Sequence, residues 1–121
     1  MEKAYRVTVF VPPPQLEKVL VSITKVLPEN DSKYSEGFWW SSPGTEQFRP
    51  LEGSNPTIGL IGELSRLDSI ELKFLIPRNE ELLNHVIKDG IRSAHPWEQP
   101  VITVEKCRLA VNGPESKKSK N

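Results

Sequence analysis

Arg6-Val7-Thr8-Val9-Phe10-Val11-Pro12-Pro13-Pro14 and Ser69-Ile70-Glu71-Leu72-Lys73-Phe74-Leu75-Ile76-Pro77 share one design. Each is a β-rich run that ends on proline, which has no N–H to give a sheet ladder. Each is followed by a segment with helical periodicity. After the first, Leu16, Val19, Leu20, Ile23, Val26 and Leu27 recur at three- and four-residue steps, with Glu17, Lys18, Ser22 and Lys25 on the opposite side. That spacing predicts an amphipathic helix, opened by Pro14 in its first turn and ended by Pro28 and Asn30-Asp31. After the second, Asn79 stands as N-cap before Glu80 and Glu81, where the helix dipole favours acids. Leu82, Leu83, Val86, Ile87 and Ile91 then mark a second helix that stops at His95-Pro96. A last strand is predicted over Val101 to Leu109.

Strand, proline stop, helix and strand therefore occur twice. This pattern predicts an α+β, ferredoxin-like βαββαβ domain, an antiparallel sheet with both helices on one face. Between the halves, Gly37 to Ser41 reads as the start of the second strand, continued by Phe48 to Leu51 beyond Pro43-Gly44. Ile58 to Leu64 reads as a short extra strand or extended edge. Trp39 and Trp40 are adjacent, so on a strand they point to opposite faces. One is expected in the helix-covered core and the other on the open face, as an interface or ligand wall.

The chain has 121 residues, enough for one domain with its own core, with 16 basic and 16 acidic side chains. Balanced charge removes the electrostatic case for nucleic acid or anionic membrane as a partner. No apolar run approaches the roughly 20 residues a membrane helix needs. The start lacks an apolar leader and Cys107 is a lone thiol, which fits a reducing, cytoplasmic setting. Residues 1–111 are expected to form the domain, and the lysine-rich 112–121 a disordered polar tail.

Two segments hold residues that packing does not require. One is Gly44-Thr45-Glu46-Gln47-Phe48-Arg49-Pro50-Leu51-Glu52-Gly53-Ser54-Asn55-Pro56; the other is Ala94-His95-Pro96-Trp97-Glu98-Gln99-Pro100. In the first, Pro50 biases Arg49 to an extended backbone, while Gly53, Gly59 and Gly62 offer positive φ or close approach. Arg49 then reads either as an anion-binding side chain or as a tie to a carboxylate such as Glu52 or Glu98. In the second, His95 and Glu98 read as weak metal-ligand candidates, as an acid/base couple, or as parts of a rigid corner fixed by Pro96 and Pro100. The candidate ligand cleft comprises Thr45, Phe48, Arg49, Asn55, His95, Trp97 and Glu98. His85 reads as solvated, and Cys107 as a small apolar residue of the last strand. No residue is assigned a catalytic role, and no Walker-type phosphate loop occurs.

These two segments resemble motifs of the YqfO-type, PII-like domain of the NGG-interacting-factor-three-like proteins. Those motifs run Gly-x-Gly-x-Phe-Arg-Pro-Leu-x-Gly-x-Asn-Pro-x-Ile-Gly and Ala-His-Pro-Tyr-Glu-Glu-Pro. The corner is also similar to that of the CutA divalent-cation-tolerance family. The likeness spans about Tyr5 to Leu109. Glu46 stands where the family usually has glycine, Gly37 about where it often has cysteine, and Trp97 and Gln99 replace Tyr and Glu. The resemblance implies a PII/CutA-like homo-oligomer, a trimer in preference to a dimer. It implies a non-enzymatic binding or regulatory role, with a small anionic ligand between subunits and no required cofactor. The alternatives it raises are divalent-metal binding through His95 and Glu98, and nucleotide hydrolysis of the GTP-cyclohydrolase type. The dinuclear metal centre of full-length members lies in sequence flanking this domain, so it does not carry over.

Overall fold

The computed structural model describes residues 1–29 and 32–110. The Asn30-Asp31 helix stop and the tail expected over 112–121 lie outside the described residues. Strand β1 (Glu2–Val11) leads through a 3-10 turn (Pro13–Gln15) into helix α1 (Leu16–Val26). Strands β2 (Trp39–Trp40), β3 (Gly44–Phe48) and β4 (Ser65–Pro77) follow. Helix α2 (Glu80–His85) continues as a π-helical stretch (Val86–Arg92), and β5 (Ile102–Leu109) closes the chain.

The sheet is antiparallel, in the order β2-β4-β1-β5, with β3 also paired to β4. Thus β2 and β3 are two parts of one edge strand, interrupted over 41–43, as the Pro43-Gly44 break anticipates. This is the expected ferredoxin-like arrangement. The register sets Val7 opposite Phe74, Val9 opposite Leu72 and Val11 opposite Ile70, all on one face. That face packs on Leu16, Val19 and Ile23 of α1 and on Leu83, Val86 and Ile91 of the second helical segment. Burying each such side chain contributes about 1.5–3 kcal/mol, so this face carries most of the driving force for folding.

Four details depart from the expectations. The second helix starts as predicted, with the Asn79 side chain accepting the Leu82 N–H at 2.8 Å. It then widens into π geometry, in which bonds run i→i+5. Val86 and Ile91, five residues apart, are both fully buried, and that step suits the wider turn. Gly90 lets this stretch close on α1, since a Cβ there would lie 2.9 Å from Val26 Cγ2. The Ser22 hydroxyl donates to the Gly90 carbonyl at 2.6 Å across the same contact. Second, Ile58 to Leu64 is a string of turns, not a strand. Gly59 and Gly62 sit at φ +91° and +83°, outside any strand conformation. Third, neither tryptophan enters the core: Trp39 is 56% exposed and Trp40 44%. Their strand is at the edge, and Phe38 packs edge-on against Phe74 at 5.4 Å instead. Fourth, the continuation of the second strand is Gly44–Phe48, ending before Pro50, rather than Phe48 to Leu51.

Candidate ligand groove

The first loop is closed on itself before it meets anything else. Gly62 N–H donates to Pro50 O at 2.7 Å, and Arg49 Nη1 donates to Gly62 O at 2.6 Å. Ser54 bonds Leu51 O through both its N–H, at 3.0 Å, and its hydroxyl, at 2.7 Å. Gly59 lies so near Ser65 that an added Cβ would stand 2.5 Å from Ser65 Oγ. Arg49 therefore ties the loop through a backbone carbonyl, not through Glu52 or Glu98. No spacing rule marks this, because carbonyl acceptors leave no trace in sequence.

The corner at 94–100 is fixed by His95. The end of the π-helical stretch holds it, with His95 N–H donating to Ile91 O at 2.9 Å. Its ring lies 2.7 Å from Phe10 O through Nε2 and 3.1 Å from Trp97 N through Nδ1. A carbonyl can only accept and an amide N–H can only donate, so the partners assign the tautomer. Nε2 carries the proton and Nδ1 is the acceptor. The side chain is buried, and burial pushes its pKa below the ordinary histidine value, partly opposed by the Phe10 carbonyl and the Glu46 carboxylate. A neutral imidazole with both nitrogens spent on backbone has no lone pair left for a metal and no proton poised for transfer. A helix end by itself favours a charged histidine, but here desolvation outweighs it. Among the described residues, no three His, Cys, Asp or Glu side chains come together as metal ligands.

The two segments meet. Asn55 N–H donates to Glu98 Oε1 at 3.0 Å, and the Thr57 hydroxyl to Pro96 O at 2.8 Å. The Phe48 and Trp97 rings lie 6.4 Å apart, and Trp97 packs at 62° on the His95 ring, 5.1 Å away. Between them runs a groove of about 490 Å³. Of the sequence-predicted residues, Phe48, Arg49, Trp97 and Glu98 line it. Asn55 contributes through its backbone N–H, while His95 braces the corner from behind. Thr45 stands apart from the lining, on β3 opposite Asp68. Sequence reasoning missed Thr57, whose position just after Asn55-Pro56 was the available signal. It also missed Glu46 and Glu52 as wall residues. Glu46 accepts from the Ser69 hydroxyl at 2.5 Å. Among the described residues the lining thus carries three carboxylates, from Glu46, Glu52 and Glu98, against the one guanidinium of Arg49. That balance disfavours the anionic ligand that Arg49 alone implied.

Away from the groove, His85 is exposed and its Nδ1 lies 2.7 Å from Asp89 Oδ2. Cys107 is a free thiol on β5. Among the described residues, no helix is long and apolar enough to cross a membrane.

No protein-family model matches the chain. It is 31% identical over 97 residues to a Staphylococcus epidermidis protein called GTP cyclohydrolase 1 type 2 homolog, a match covering 80% of this chain and 25% of that one. The structure of a Bacillus cereus protein related to NIF3 superposes with a TM-score of 0.69 at 29% identity, covering 88% of this chain and 26% of that chain. The divalent ion tolerance protein CutA1 from Ehrlichia chaffeensis superposes with a TM-score of 0.62 over 93% of this chain and 88% of its own. At 12% identity, that likeness establishes the fold alone. The chain spans about a quarter of the length of the curated relatives it matches. With both fingerprint segments present, it is a relative of the YqfO-type domain of the NIF3-related proteins, built on the ferredoxin-like fold it shares with CutA1.

Proposed function

We propose that residues 1–111 form a non-enzymatic, self-associating binding or regulatory module, with its ligand site in the groove between the 46–58 loop and the 96–101 corner. One observation carries this reading. Two segments some 40 residues apart are joined by two cross-loop hydrogen bonds, Asn55 to Glu98 and Thr57 to Pro96, and by the Phe48–Trp97 pair. They enclose a groove rather than packing it shut. Small-ligand sites have this composition: aromatic and aliphatic walls with a few oriented polar groups. Self-association is supported by exposed Trp39 and Leu75 on the sheet face away from the helices, where a second copy would cover them, with a trimer favoured over a dimer.

The relatives' name raises a second reading, nucleotide turnover of the GTP-cyclohydrolase kind. The imidazole nearest the groove is committed to backbone, which favours binding over chemistry. A thermal-shift panel of nucleotides, metals and metabolites tests the proposal on the wild type and on a Phe48→Ala, Arg49→Ala variant. A groove ligand at about 100 times its Kd raises wild-type stability by about 2.7 kcal/mol and leaves the variant unmoved. Equal stabilisation of both would overturn the assignment. GTP turnover abolished by the double substitution would establish the second reading. Light scattering is expected to give a trimer, and a monomeric mass contradicts self-association.

A further inference from the structure

We propose that the groove selects a small organic cation with a flat apolar body, of the aryl-amidinium or aryl-ammonium class. The inference rests on reading the groove as a ligand site and adds the charge and shape of what enters. Phe48 and Trp97 present two rings with centroids 6.4 Å apart and tilted by 42°. Around them stand the carboxylates of Glu46, Glu52 and Glu98. Among the described residues Arg49 is the one cation of the lining, and its Nη1 is turned onto Gly62 O. Two of the carboxylates are positioned through a single oxygen: Glu46 by the Ser69 hydroxyl and Glu98 by the Asn55 N–H. Each keeps its second oxygen for another donor.

A ring system with its electron-rich faces near an acidic rim attracts a desolvated cation and repels an anion of the same shape.

Charge is isolated by three probes of one shape: benzamidine, benzamide and benzoate. Each is titrated into uniformly 15N-labelled protein. The Trp97 indole and the Phe48, Asn55 and Glu98 amides serve as reporters. Benzamidine is expected to shift these resonances with an affinity about tenfold above that of benzoate. Raising the salt concentration should narrow the difference. A Glu52→Gln, Glu98→Gln variant keeps an acceptor for Asn55, and its unperturbed spectrum elsewhere shows it folded. It should lose most of the preference for benzamidine. Benzoate or benzamide binding the groove as well as benzamidine overturns the charge selection but leaves the groove a ligand site. Failure of all three probes to move any groove resonance overturns both.

Discussion

His95→Ala is expected to cost stability at neutral pH and to cost less of it in acid. The substitution removes the acceptor for Trp97 N–H and the donor for Phe10 O, at 3.1 and 2.7 Å. Leaving two partly buried backbone groups unmatched costs about 1–1.5 kcal/mol each. Loss of the ring on which Trp97 packs adds a smaller cavity contribution, for a total of about 3 kcal/mol. For a domain of this size about 4 °C of melting temperature accompanies each kcal/mol, so the midpoint should fall by roughly 12 °C. The pH dependence fixes the mechanism. Folding lowers the His95 pKa from the ordinary histidine value of 6.5, chiefly by burial. Between the folded and unfolded values, the unfolded chain binds more protons, so wild-type stability falls as pH drops below the unfolded value. The variant lacks this dependence, and other titrating groups cancel in the difference. The stability gap, measured by urea unfolding from pH 8 to pH 5, should therefore narrow in acid. A gap below about 1 kcal/mol at pH 8, or one that widens in acid, would refute the neutral, doubly bonded imidazole.

Gly90→Ala should destabilise by about 1 kcal/mol. Overpacking against Val26 and Ile23 costs about 1–3 kcal/mol, and the better helix propensity of alanine returns about 1; a stabilised variant in urea unfolding would contradict the close helix contact. Asn79→Ala should cost about 1 kcal/mol through the lost cap on Leu82 N–H, read in the same assay. Glu98→Ala should change global stability by less than about 1 kcal/mol but speed hydrogen exchange of the Asn55 amide roughly tenfold, because that amide loses its acceptor.

What the sequence disclosed was what local patterning encodes. The proline-closed strands and the Leu16–Val19–Ile23 stripe place the sheet and α1 because periodicity follows directly from which face is buried. Asn79 was readable because a cap acts within three residues of itself. The positive φ of Gly53, Gly59 and Gly62 was readable for a similar local reason. The rest depends on tertiary neighbours. Ile58, Leu60 and Ile61 look like strand residues, yet the flanking glycine conformations turn them outward, with Leu60 64% exposed. Trp39 and Trp40 alternate as a strand requires, but alternation does not reveal that their strand lies at the sheet edge. The π-helical stretch needs Ser22 and Gly90 to meet across two helices. At the site, the fingerprint segments indicated which residues to watch. They did not show that Arg49 would face a carbonyl, or that burial would leave His95 neutral between two backbone groups.

Whether the two segments form one ligand groove is decided by mapping a diverse fragment library onto the 15N-labelled protein. Binders are expected to concentrate on Phe48, Arg49, Trp97 and Glu98, and Phe48→Ala is expected to weaken them together. Binders that gather elsewhere on the domain, or that ignore Phe48→Ala, would contradict a shared groove.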